Sequence, residues 1–92
     1  MSEVTVSIPA PLREFTAGAA EIRLDAPTVG DALTRIGADY PGFLGRILTP
    51  EGGLRPFVNV FVNADSVKAL EGLDTPLPAD ARVLIVPAVA GG

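Results

Sequence analysis

The chain has no cysteine and no histidine, and these two absences remove most of the chemistry that a small protein can carry out unaided. Without thiolates there is no disulfide, no nucleophilic cysteine, and no iron–sulfur or thiolate–zinc site. Without imidazole the commonest metal ligand is missing, as is the general base best matched to neutral pH. Catalysis would fall to carboxylates, Lys68, Tyr40 or hydroxyls. Basic residues are the minority charge, 7 against 11 acidic ones for a net charge of −4, which argues against a nucleic acid partner and towards a protein partner with a basic surface. No apolar run approaches the roughly 18 residues of a membrane span. No basic segment followed by an apolar stretch opens the chain. The expectation is therefore a cytoplasmic protein with no membrane partner.

The acidic residues suggest no metal site either. Glu14, Glu21, Asp25, Asp31, Asp39 and Glu71 are scattered, without the D-x-D-x-D-G spacing of a calcium loop. Gly52-Gly53 lacks the strand, helix and lysine of a phosphate-binding loop and reads as a turn. The expectation is thus no catalytic residue, no bound metal and no bound cofactor.

What the chain does have is enough apolar material for one modest core. Ninety-two residues, 48% of them hydrophobic, fit a single domain. Val4, Val6 and Ile8 alternate with Thr5 and Ser7 as in a half-buried strand, which Pro9 and Pro11 end. Leu12 to Phe15 reads as a loop or single turn returning Leu12 or Phe15 to the core, with Arg13 and Glu14 facing water. Ala20, Ile22 and Leu24 form a second alternation, close enough in sequence for a hairpin with the first.

Pro27-Thr28 announces a helix. Thr28 is placed to cap it, and Asp31 stands at the capping-box position, where the helix dipole favours negative charge. Val29, Ala32, Leu33, Ile36 and Tyr40 then recur at helical spacing, Gly37 weakens the last turn, and Pro41-Gly42 stops it. Phe43, Leu44, Ile47 and Leu48 fit one more short helical turn. The stretch from Thr49 to Gly53 reads as a turn or mobile loop.

In the third strand, Phe57 to Val62, the valines at 58, 60 and 62 share one face, assigned to the core, and Phe57, Asn59 and Phe61 share the other. The second face either meets a partner or is covered by loop residues. Asn63-Ala64-Asp65 is a turn by composition, Ser66 to Ala69 a short strand or turn, and Leu70 to Asp80 mostly irregular, with Leu73 and Leu77 as anchors. The last strand begins at Arg82, with Val83 and Ile85 in the core and Arg82, Leu84 and Val86 opposite. Pairing should fade at Pro87, which has no N–H. The pattern is α+β, one helix over a sheet, in the order β-β-α-β-β. Residues 1–87 form the body and 88–92 a tail that reaches roughly 17 Å when extended.

That tail ends in Gly91-Gly92. Two residues without Cβ can thread a narrow slot in a partner and present an unhindered α-carboxylate; a flexible, inert terminus is the plainer alternative. The ending Pro87-Ala88-Val89-Ala90-Gly91-Gly92 resembles that of the ubiquitin-like sulfur carriers of the MoaD/ThiS type. The likeness extends to Val4–Pro9, Leu12–Thr16, Arg55–Asn63 and Leu77–Asp80. Within that family the chain looks most like the sulfur carrier of cysteine biosynthesis and the molybdopterin synthase small subunit.

The resemblance implies a β-grasp fold with parallel first and last strands. It implies that an adenylating enzyme similar to ubiquitin-activating enzymes uses ATP to activate Gly92, which becomes a thiocarboxylate. Gly91, Ala90 and Val89 would thread into the partner. The acceptor would be a biosynthetic enzyme such as a cysteine synthase, slightly favoured, or the molybdopterin synthase large subunit. Docking is expected on Val86, Leu84, Phe61 and Phe57, with Arg13 at the rim. Isopeptide conjugation through Gly92, or a binding module with an inert tail, are the alternatives.

Overall fold

A computed structural model of the chain describes residues 3–87. Strands β1 (Glu3–Ser7) and β2 (Glu21–Asp25) form an antiparallel hairpin with Val4 opposite Leu24 and Val6 opposite Ile22. Helix α1 (Val29–Asp39) follows, then the single turn α2 (Leu44–Ile47), strand β3 (Val58–Val62), the two-residue β4 (Asp65–Ser66) and β5 (Arg82–Pro87). The sheet order is β2-β1-β5-β3-β4, with β5 parallel to β1 and antiparallel to β3. One helix packed across a mixed five-stranded sheet, with first and last strands as parallel neighbours, is the β-grasp arrangement.

The core follows the alternation. Val4, Val6, Val60, Val83 and Ile85 turn inward and are buried, meeting Val29, Ala32, Leu33 and Ile36 from α1. Phe43 and Ile47 close the core beneath α2 and are fully buried. Thr28 caps α1 as expected: its Oγ accepts the Asp31 N–H at 3.2 Å, and its hydroxyl donates to the Asp31 carboxylate at 3.0 Å.

Several expectations need correction. The segment after β1 is neither a loop nor a single turn but a 3-10 helix over Ala10–Thr16, with Pro11 in its first turn, where a missing N–H costs nothing. It does bring Leu12 into the core, and Arg13 and Glu14 are exposed. Of the two alternatives for Thr49–Gly53 the structure takes the turn: the Thr49 N–H donates to Gly53 O at 2.7 Å, and Leu48 and Leu54 bridge across it. After β4 the expectations hold in outline, with Val67–Ala69 a turn and Leu70–Asp80 mostly irregular apart from the 3-10 turn Gly72–Asp74; Leu77 is buried and Leu73 packs against the core as anchors. Pro87 still stands in register opposite Val58, so pairing lasts one residue longer than its missing N–H suggested. Gly37 is explained by packing: a Cβ there would lie 2.4 Å from Cγ and Cδ1 of Leu44, so the glycine is what lets α2 close on α1.

Candidate functional site

β5 is the third strand of five, flanked by β1 and β3, and it delivers the chain to the tail from the middle of the sheet. Val83 and Ile85 are its buried residues, and Leu84 and Val86 point to the opposite face, where both are exposed. Register places Phe61 of β3 directly opposite Leu84, and Asn59 opposite Val86; on the other side Ser7 of β1 stands opposite Leu84. Phe57 immediately precedes β3 and is the most exposed large apolar side chain among the described residues at 60%; Leu84 at 44% and Val86 at 39% are exposed too, as is Leu70 at 46% in the segment after β4. Phe61 is half-buried. These residues therefore run along β3 and β5 on one side of the sheet, with Phe61 and Leu84 at one end and Phe57 at the other, and Phe57, Leu84 and Val86 are exposed to solvent.

Polar groups hold this face in place. Asn59 Oδ1 accepts from Ser66 Oγ at 2.9 Å and from the Val60 N–H at 2.9 Å, which ties β4 to β3. Arg13 Nε donates to the Ile8 carbonyl at 3.0 Å. That bond fixes the guanidinium beside a surface depression of about 400 Å³ lined by Ser7, Ile8, Pro9, Arg13, Ala20, Glu21 and Leu84. Arg13 and Leu84 thus border one concavity, a proximity that alternation along the strands could not reveal. Arg82 lies 3.7 Å from Glu21 with both side chains exposed, a pairing that contributes little in water.

Asn59 stands on this face with Phe61, as the alternation along β3 indicated, whereas Ser7 escaped notice as a component of it. The signal for Ser7 was available in its outward alternation, but a small polar residue on a strand draws attention only when the neighbouring strand is known. Among the described residues no group of three acidic side chains is arranged to hold a metal ion, and no helix is long and apolar enough to cross a membrane. Val89, Ala90, Gly91 and Gly92, the tail residues singled out from the sequence, lie outside the described residues.

Comparison with known proteins adds to this geometry. The model of the ThiS family matches residues 6–92. The chain is 40% identical over 91 residues to the sulfur carrier protein CysO of Mycobacterium tuberculosis, covering 97% of this chain and 98% of that protein. It is 41% identical over 68 residues to small archaeal modifier protein 3 of Haloferax volcanii, covering 74% of this chain and 73% of that one. Among solved structures, it is similar to a chain of the Amycolatopsis orientalis BexX/CysO complex, with a TM-score of 0.89, 35% identity, and coverage of 97% of this chain and 99% of that one.

Proposed function

The chain belongs to the ThiS family, and from that premise we propose that it carries sulfur as a thiocarboxylate on Gly92. It is a ubiquitin-like sulfur carrier, in line with relatives named as sulfur carrier proteins that it matches over nearly its whole length. The likeness to CysO over nearly the whole chain favours the cysteine pathway over molybdopterin synthesis.

The observation that carries the reading is the Gly91-Gly92 ending inside the stretch matched by the family model, following directly from the central strand β5. A carboxylate resists nucleophiles until its oxygen becomes a leaving group. A Gly92 carboxylate oxygen attacks the α-phosphorus of ATP in an activating enzyme, and pyrophosphate departs. Sulfide-level sulfur, as HS⁻, then attacks the carbonyl carbon and AMP leaves with the bonding pair, giving the thiocarboxylate. In the sulfur-accepting enzyme the sulfur bonds to the substrate, the acyl C–S bond breaks, and water restores the carboxylate. The carrier itself contributes recognition. Five tail residues lose conformational entropy on threading, so binding energy must come from the folded body. The face with Phe57, Phe61, Leu84 and Val86, flanked by Arg13, has the apolar anchors to provide it.

The test is intact-mass spectrometry of the protein purified from its own cells. A gain of about 16 Da, sulfur replacing one oxygen at Gly92, is the expected result. Only conjugates to lysines of other proteins would instead favour the modifier reading, which the likeness to the small archaeal modifier protein supports. Appending one residue after Gly92 should abolish adenylate formation without changing thermal stability; full activity of such a variant without prior proteolysis would overturn the assignment.

A further inference from the structure

We propose that β2 is a self-complementary sheet edge through which two copies of this chain pair antiparallel, with Glu21 of one copy opposite the partner's Arg23. The sheet has two edges, β2 and β4. β4 is only two residues long and runs straight into a 3-10 turn, which blunts it. β2 keeps continuous register with β1 over five residues. The Ile8 N–H donates to the Ala20 carbonyl at 2.8 Å, so residues 20, 22 and 24 turn their backbone groups towards β1. By the alternation of an antiparallel ladder, Glu21, Arg23 and Asp25 then turn theirs outward. Among the described residues none bonds to those outward groups. On the core side Ile22 and Leu24 remain half-buried and Ala20 exposed, leaving an apolar strip at the rim of the sheet.

Three two-fold registers satisfy the outward backbone groups, and the side chains separate them. Centring the axis on Arg23 would set arginine against arginine and Glu21 against Asp25, like charges directly opposite on both counts. Centring it on Leu24 would pair Arg23 with Asp25 but bring Pro27 opposite Glu21, where proline has no N–H to give. Centring it on Ile22 sets Glu21 against the partner's Arg23 twice over. It also stacks Ile22 on the partner's Ile22, with Leu24 beside the partner's Ala20, so that large and small residues alternate along the seam. This register alone satisfies charge, backbone and apolar packing together. The two sheets would continue as one, with both Leu84–Phe61 faces on the same side and each β5 two strands in from the seam, leaving the tails free.

One strand pair is a small interface, so association should be weak and concentration-dependent. Sedimentation equilibrium of the full chain from about 20 µM to about 1 mM, the range suited to so small an interface, should show a monomer–dimer equilibrium. Over the same range hydrogen exchange at the Glu21 and Arg23 amides should slow. Arg23→Glu and Glu21→Arg should each weaken the dimer by roughly tenfold. The double exchange Glu21→Arg/Arg23→Glu should restore it, a rescue that the other two registers do not predict. Circular dichroism of each variant should match that of the parent chain, since the substituted side chains are exposed. A monomer throughout with unchanged amide exchange, single variants that associate normally, or a double variant that fails to recover would overturn the proposal. None of these readouts involves Gly92 chemistry, so the result is independent of the carrier assignment.

Discussion

Individual residues in this chain divide into those whose role is local and those whose role depends on a distant neighbour. Thr28 is local: it and Asp31 exchange two hydrogen bonds within one helical turn. Thr28→Ala should cost about 1 kcal/mol, read as a lower urea midpoint with an unchanged m-value. Gly37 is the opposite case. In most helix interiors replacing glycine by alanine stabilises by roughly 0.5–1 kcal/mol, but here the new methyl would overlap Leu44. Gly37→Ala should therefore destabilise, by about 1–3 kcal/mol for an overpacked contact, and Leu44→Ala in the same chain should recover part of the loss. The sequence showed the cap because its partners are three residues apart, and hid the purpose of Gly37 because Leu44 lies beyond the helix end. Thr16 and Thr75 were hidden likewise. Both are buried, with Thr16 Oγ donating to the Ala19 carbonyl at 3.1 Å and Thr75 Oγ accepting the Glu71 N–H at 3.0 Å, and nothing in composition separates them from solvated turn threonines.

At the level of elements, the strands, α1 and the single turn α2 were legible and the 3-10 helices were not. A period of two is a strong signal when one face is buried, and β3 displays it in full: Val58, Val60 and Val62 in the core, Asn59 and Phe61 half-buried on the other face. Val60→Ala should accordingly cost about 1–3 kcal/mol from lost burial and a residual cavity. Phe61→Ala should cost less, although its side chain is the larger. Urea unfolding of the two variants checks this, and the reverse order would mean that the faces of β3 are exchanged. The 3-10 helix over Ala10–Thr16 escaped notice because its prolines suggest interruption, whereas proline in a first turn is compatible with one. Beyond the hairpin of β1 and β2, strand order was not in the local pattern. That β5 lies between β1 and β3 follows from long-range pairing, and of this the resemblance to sulfur carriers supplied the parallel pairing of the first and last strands.

For the molecule as a whole, the sheet separates stability from recognition. The face against α1 holds the core, and the opposite face presents Phe57, Leu84 and Val86 to solvent beside the strand that leads to Gly92. Three exposed apolar residues in one region of so small a protein mark an interaction surface more readily than scattered ones do. The candidate side chains were legible from alternation; that Phe61 meets Leu84 and that Arg13 borders the same depression required the register and the 3-10 helix. A charge placed on this face should leave the core untouched while opposing desolvation of the patch by a partner. Phe61→Asp and Val86→Asp should therefore keep a native circular dichroism spectrum and lose affinity for the activating enzyme. Burying one such anchor contributes roughly 1.5–3 kcal/mol, so titration calorimetry should register a loss of at least about tenfold in each variant. Arg35→Asp, on the exposed side of α1 and across the sheet from the patch, serves as the control and should bind normally. Normal binding by both patch variants would place the docking surface elsewhere and leave the exposed aliphatic residues at the root of the tail without a role.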